Sequence, residues 1–350
     1  MSTPVLPPLY DRWISALLQG PVPAETESTC MDCPMLARDG RNKSEYLFHP
    51  DTKCCTYMPE LPNFLVGRIL RDEDPAFAPG KAAFEGQFSG GMIVTPLGAY
   101  PPESYSAFYR GNLDRFGVDP GMRCPFYLVK EGGLCGIWKH RNARCATWFC
   151  KYSHGSRSVI FWKYMDQLLT AVEKSLAQWC VLQLIDKDAA LEELFPPPQS
   201  QVDLGRQKLF WGPWWLRQRE FFQECSALVD SLSWEEVTAI GGQEVRIPAR
   251  LVYLSYGRVN ADRLPKYLRI ASWKKVILQD SDFYRVWAYN RYDPLDVWKS
   301  VLDQLHHFDG QTPVASVLRR AKMMGVKLDR KLIRQFLDFG ILEECDVPDR

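Results

Sequence analysis

The chain has 350 residues, 46% of them apolar and 24% charged, with a formal net charge of +1. That usage excludes a disordered chain and leaves room for one large core or two ordinary ones. A charge so close to zero also argues against capture by a polyanion through the overall field, so a nucleic-acid partner is not expected.

The first twenty residues, MSTPVLPPLYDRWISALLQG, lack a basic leader, and Asp11 and Arg12 interrupt their apolar residues, as neither a signal peptide nor a membrane anchor would. No later stretch reaches the roughly 18 uncharged apolar residues of a membrane span. Val159–Leu184 comes nearest, but Lys163, Asp166, Glu173 and Lys174 make it a soluble helix. A cytoplasmic location follows as the expectation, with no membrane partner.

Residues 22–155 read as a loop-rich domain punctuated by Pro79-Gly80, Gly90-Gly91 and Pro101-Pro102, with short helical pieces such as Asn63–Leu70. Residues 156–350 read as mainly helical, and the chain as α-rich and mixed. Phe161, Met165, Leu168, Leu169, Val172, Leu176 and Trp179 recur at helix spacing, with Cys180 beside that stripe. Pro196-Pro197-Pro198 breaks the chain, and a helix is predicted around Trp214–Leu232. Ser233 with Glu236 forms a capping box for the next helix, which Gly241-Gly242 is expected to end. Asp293-Pro294 predicts a helix start running toward His307. A helix-turn-helix-like pair occupies about 311–344. In its first helix Thr312 is the N-cap, Pro313 the first helical residue, and Val314, Val317, Leu318, Ala321 and Met324 the inner face before Gly325. Asp329 caps the second, with Leu332, Ile333, Phe336 and Leu337 inside and Gly340 at its end.

Eight of the eleven cysteines fall between positions 30 and 150. Without an export signal, such a cluster points to metal or redox chemistry rather than disulfides. Cys30-Met-Asp-Cys33 is a C-x-x-C pair, whose spacing turns both sulfurs toward one ion. Cys54 and Cys55 are adjacent, and a bridge between neighbours would strain the peptide. Cys124, Cys135, Cys145 and Cys150 follow, with Gly132-Gly133 allowing a tight turn that leaves N–H groups free for sulfur. Thiolate-only sites suit zinc and iron alike. Loop-borne and adjacent cysteines suit a cluster of the 4Fe–4S type, and eight sulfurs also suffice for a cluster plus zinc, or two four-sulfur sites.

The stretch CPFYLVKEGGLCGIWKHRNARCATWFC resembles the ending of the zinc- or iron-chelating CxxCxxCC (YkgJ-like) family, Cys124, Cys135, Cys145 and Cys150 matching it one by one. Cys30, Cys33, Cys54 and Cys55 match its upstream CxxC and CC elements, so the resemblance spans about 28–155. It implies that all eight are metal ligands. The CC…CP…C…C arrangement is also similar, more distantly, to that of flagellin lysine-N-methylases, to which an iron–sulfur cluster has been attributed. That likeness implies a cluster-dependent transferase acting on protein side chains as the enzymatic alternative.

Other groups carry a functional reading beside a plain one. His49, His140 and His154 are near the cysteines as ligands or as surface residues. Lys139, Arg141, Arg144 and Lys151 would offset thiolate charge, bind an anionic substrate, or form a solvated basic loop. Phe210, Trp211, Trp214 and Trp215 are a stacking platform or core packing. Cys180 and Cys225 read as core and Cys345 as free. Arg319, Arg320, Lys322, Lys327, Arg330, Lys331 and Arg334 make the terminal pair either part of a metal- or redox-sensing regulator of nucleic acid or a cap that docks a protein partner. No Walker A loop, GxGxxG, HExxH or G-x-S-x-G is present.

Overall fold

The computed structural model describes residues 6–37, 45–185, 208, 211–261, 263–273, 275–279 and 281–345. Pro196-Pro197-Pro198 and Phe210 lie outside these residues. The fold is α-rich and mixed, with small antiparallel sheets.

Its axis is helix α6, Gly155–Leu184, about 45 Å long at helical rise. Phe161, Met165, Leu168, Leu169, Val172 and Leu176 are buried along one side, as their spacing predicts. Around it lie α1 (Pro8–Leu18), α2 (Asn63–Arg71), α7 (Gln218–Asp230) and α8 (Trp234–Val259). Helix α1 opens on Pro8 and buries Leu9, Tyr10, Trp13, Ile14 and Leu18. The Trp13 indole N–H donates to the Leu232 carbonyl at 3.0 Å, joining α1 to the turn before α8. Helix α2 is buried almost throughout, and Asn63 spends its amide on the carbonyls of Pro96 and Ala177, at 3.0 and 2.9 Å. Arg68 of α2 pairs with Asp230 at the end of α7.

The expected capping box at α8 is present: Ser233 Oγ accepts from Glu236 N–H while the Glu236 carboxylate accepts from Ser233 N–H. Gly241-Gly242 does not end this helix. Gly242 leaves helical geometry, with φ 53° and ψ −135°, and the chain resumes helically to Val259. The pair therefore makes a kink, because Val245, Ala249 and Val252 beyond it are buried in the same core.

Residues 22–155 hold more regular structure than their punctuation predicts. Helices α3 (Ala78–Phe88), α4 (Glu103–Gly111) and α5 (Ala143–Thr147) lie here. So does a three-stranded sheet in the order β1 (Leu61–Pro62), β3 (Gly98–Tyr100), β2 (Ile93–Thr95). A hairpin pairs β4 (Tyr127–Leu128) with β5 (Leu134–Cys135).

The C-terminal part departs furthest from the expectation of a helical domain. Strand β6 (Tyr267–Ile270) lies between β10 (Asp309–Pro313) and β11 (Leu342–Glu344) in one sheet. Strands β7 (Lys275–Leu278), β8 (Phe283–Trp287) and β9 (Leu295–Trp298) form a second. Where Asp293-Pro294 predicts a helix, the chain forms β9 and then only the short α9, Lys299–Leu302. Tyr284 and Val286 of β8 pair with Val297 and Leu295 of β9, a period-two pattern that burial enforces. The helix pair is present as α10 (Val314–Met323) and α11 (Arg330–Asp338), set between β10 and β11. Asp329 caps α11 as predicted, accepting from Leu332 N–H at 2.8 Å. Thr312 does not cap α10. It lies in β10, and its N–H and hydroxyl are turned to the Asp309 carboxylate. Leu268, Val286, Val297, Phe308, Val317, Ile333 and Phe336 form a second core.

This C-terminal module meets α6 at its first turn. Gly155 has φ +49°, and a Cβ there would lie 2.2 Å from the Asp338 carbonyl oxygen, so only glycine allows the approach. Asp338 is buried between the guanidiniums of Arg157 (2.5 Å) and Arg334 (3.3 Å), and burial raises its pKa despite them. Removing that carboxylate leaves two cations facing each other. Asp338→Ala is expected to lose about 3–5 kcal/mol of stability, measured by denaturant unfolding.

Candidate functional site

Five chain segments carry the eight cysteines, held by side chains and by turn hydrogen bonds rather than by long elements. Lys53 is the main clamp. It adopts a left-handed backbone, with φ 47°, and its ammonium donates to the carbonyls of Cys30 (2.6 Å), Gly132 (3.2 Å) and Gly133 (2.9 Å). One cation thereby ties the C-x-x-C loop to the turn before Cys135. Charge-assisted bonds of this kind are the strong ones. The next residues are Cys54 and Cys55, in a turn closed by Cys55 N–H to Thr52 O at 2.9 Å. Cys124 N–H donates to the Cys55 carbonyl at 2.8 Å, bringing the fifth cysteine alongside.

Cys135 ends β5. The next residue, Gly136, touches Gly80 of α3 so closely that a Cβ on Gly80 would lie 1.7 Å from its oxygen. Cys145 is inside α5, whose first turn is capped by Asn142 Oδ1 accepting from the Cys145 N–H at 3.0 Å. Cys150 follows that helix. Ser28 Oγ stands 3.3 Å from its sulfur and donates to the Lys151 carbonyl at 2.8 Å, fastening the Cys150 segment to the loop of Cys30. Asn290 of the C-terminal module donates to the Cys150 carbonyl at 2.8 Å, and Tyr292 joins Cys33, Phe48 and Cys150 in one apolar cluster. The two halves of the chain thus close over this region together.

The eight thiols are linked pair by pair, so that ionising one would oppose ionising its neighbours. Cys54 is the hub, in the field of Cys30, Cys33, Cys135, Cys145 and Cys150 and hydrogen-bonded to Cys55. Cys124 joins through Cys135 and Cys145. Burial pushes Cys30 and Cys150 up to about 12 and Cys135 up to about 11. It also raises Cys33, Cys124 and Cys145. Cys54 is raised first by its bond to Cys55 and then by burial. By themselves these thiols stay protonated at neutral pH. All the described cysteines are free of disulfides.

Arg141 is the buried cation of the group. Its guanidinium stacks on the Trp138 ring at 3.4 Å and donates to the Cys145 carbonyl at 3.0 Å. It lies in the field of Cys30, Cys55, Cys135 and Cys145, which favours its charge against the loss imposed by burial. Lys139 and Arg144 are turned outward, Lys139 pairing with Asp74 and Arg144 with Asp166 at 2.9 Å, while Lys151 is largely covered and faces Asp293 at 3.6 Å. His140 is buried on Asp72 at 2.8 Å, where burial lowers it to about 4, and His154 lies 3.8 Å from Asp338. His49 Nδ1 accepts from Asp51 N–H at 3.1 Å. The described aromatic knot is packing: Trp211 meets Phe221 and Phe222 edge-on. Cys180 and Cys225 are buried in the helical core, as expected.

The chemistry of this donor set fits a soft cation, since thiols dominate it. The side chains as placed do not form a coordination shell: among the described residues no three Cys, His, Asp or Glu side chains are grouped so as to hold an ion. The gathering is therefore of segments, and Cys30, Cys33, Cys54, Cys55, Cys124, Cys135, Cys145 and Cys150 share an enclosure rather than a common centre.

A cavity of about 430 Å³ opens beside α5, lined by Tyr57, Glu60, Asn142, Arg144, Glu173 and Lys174. Asn142 and Arg144 lie three residues and one residue before Cys145, so the cavity adjoins the segment that carries it. By sequence Glu173 is one of the charges that make α6 a soluble helix. It is buried, and its Oε1 accepts from both the Tyr10 hydroxyl and the Ala143 N–H, the latter at 2.6 Å. The signal for it was position: a carboxylate one residue after Val172 and three before Leu176 falls on the buried arc of the helix.

Burial raises Glu173 to about 8. Its folded pKa exceeds its unfolded value, so the folded state holds the extra proton between about pH 4.5 and 8, and stability drains away as pH rises through that window. Glu173→Gln keeps an acceptor for Tyr10 and Ala143 and has no proton to lose. It is expected to gain on the wild type as pH rises, by up to about 1.4 kcal/mol per pH unit, in urea unfolding at a series of pH values. No family model, curated protein or solved structure matches the chain.

Proposed function

We propose that this is a metal-binding protein whose eight N-terminal cysteines ligate an iron–sulfur cluster, of the 4Fe–4S type, and/or zinc, and that it works in the cytoplasm, where thiols stay reduced. The observation that supports this reading is that eight free thiols, on five segments tied to one another by hydrogen bonds, share an enclosure with a buried arginine. Neutral thiols are weak hydrogen-bonding groups and do little to hold loops together. A metal would bind them as thiolates, cross-link the segments and, if a cluster, accept or donate an electron. Lys53 and Arg141 supply positive charge and positioned segments in advance.

Anaerobic purification followed by metal and acid-labile sulfide analysis tests this. Bound iron with sulfide, or bound zinc, is expected. Cys124→Ser and Cys145→Ser are expected to lose most of it, and Cys345→Ser none. A folded, metal-free protein would overturn the proposal.

The cavity favours a second reading, a cluster-dependent transferase that modifies protein side chains. It is open to solvent, it adjoins the segment that carries Cys145, and its lining combines the buried Glu173 carboxyl with Tyr57, Arg144 and Thr170. On this reading the cavity is also the route to the metal. Thr170→Trp, which narrows it, is expected to slow removal of the metal by a soluble chelator at least several-fold while leaving the metal content unchanged. Equal rates would remove the reading.

A further inference from the structure

Away from the cysteines, two features meet on one side of the molecule. The first is the outer face of α8. Beyond the Gly242 kink this helix buries Val245, Ala249, Val252, Ser255 and Val259. Its other side exposes Arg246, Ile247, Arg250, Tyr253, Leu254 and Arg258. Ile247 is 61% exposed, and Tyr253 and Leu254 are each 53% exposed. Ile247, Arg250, Leu254 and Arg258 follow one another at three- and four-residue steps, a single stripe about 17 Å long. A helix packed only on its inner side normally turns mixed charges to water. Here the outer side is apolar and cationic. The segment from Gln243 to Val259 has one acid, Glu244, and that is engaged by Lys174 at 3.5 Å. Among the described residues no carboxylate pairs with Arg246, Arg250 or Arg258.

The second feature is a cleft of about 700 Å³ where α8 ends, between α6, α8 and the C-terminal module. Arg157, Arg258, Arg263 and Arg334 line it, with Ile160 and Leu337 as apolar wall. Arg157 and Arg334 are committed to Asp338. Arg258 and Arg263 are exposed, and no described carboxylate pairs with either. Glu343 and Glu344 stand on the far wall, Glu343 bonded to Arg269 at 2.6 Å. Arg258 belongs to both features, so stripe and cleft are continuous.

We propose that the outer face of α8 and the cleft it runs into form a docking surface for an acidic, apolar-bearing segment of a protein partner. Its carboxylates meet Arg246, Arg250, Arg258 and Arg263, and its aliphatic or aromatic side chains cover Ile247, Tyr253 and Leu254. Charge complementarity selects an acidic occupant. The interleaved apolar residues select a peptide over a nucleic acid, which would leave them in water. The concave end of the surface, with Glu343 and Glu344 on its wall, disfavours a flat anionic membrane. Guanidiniums alternating with apolar side chains are the composition of an interface rather than of a solvated face.

The test uses the full-length chain and a fluorescent synthetic peptide carrying Leu at three- and four-residue steps and Glu elsewhere. Saturable binding that weakens with added salt is expected by anisotropy. Arg250→Glu combined with Arg258→Glu is expected to weaken it at least about tenfold, and Leu254→Ser several-fold, with thermal unfolding unchanged at these exposed positions. The matching Arg→Lys pair should keep most of the affinity. Arg246→Glu alone is a milder second variant, expected to cost a few-fold. Absence of binding, equal binding of a peptide with Ser in place of Leu, unchanged binding to the charge-reversed chains, or binding to phosphatidylserine vesicles without binding to the peptide would each overturn the proposal.

Discussion

The constraint that governs this molecule is the enclosure of eight buried or half-buried thiols, with one buried guanidinium beside Cys30, Cys54, Cys55, Cys135 and Cys145. A thiol is nearly apolar when protonated, so the enclosure can close without a cation, but it gains little from the contact. The segments that bring the cysteines in must then be held by something else. Lys53 on three carbonyls, Asn142 on the first turn of α5, Ser28 between two loops and Asn290 from the distant module do that work. Each binds backbone to backbone through a side chain, which is what a region with short elements has available.

The same enclosure explains why the halves of the chain are not independent. Gly155 begins α6 one residue beyond His154, and the same turn is packed on Asp338 of the C-terminal module. Cys150 lies five residues before it, and its carbonyl is bonded by that module through Asn290. The long helix, the cysteine region and the module therefore share one junction. Its polar centre is Asp338 between Arg157 and Arg334, a buried triad that costs more to break than it contributes while intact.

Two openings belong to this framework. The cavity beside α5 is lined by acidic, aromatic and basic side chains. The cleft at the end of α8 is rich in arginine and continues onto an exposed apolar stripe. They differ in chemistry, so they suit different occupants: a small group near the cysteines in one case, a segment of protein in the other.

Much of the helical framework follows from local pattern. The α6 stripe, the Ser233–Glu236 box and the Asp329 cap each depend on neighbours within one or two turns, and each forms as its spacing predicts. The cysteine grouping was likewise visible as composition. The errors share one cause. Asp293-Pro294 and Thr312-Pro313 are good local helix starts, yet Leu295 and Val297 pair with Val286 and Tyr284 of β8, and Pro313 pairs with Tyr267 of β6, so the first helix is replaced by β9 and the second begins only at Val314. Gly241-Gly242 is a good local stop that a continuing buried face overrides. The sequence by itself determined which residues are chemically able to bind a metal, and where the long helices run. Only the tertiary structure decided that Arg141 is buried rather than solvated, that Lys53 clamps the Cys30 loop to the distant Gly132-Gly133 turn, and that Glu173 stands at a cavity wall. Burial and long-range hydrogen bonding are properties of what surrounds a side chain, and no spacing rule carries that information.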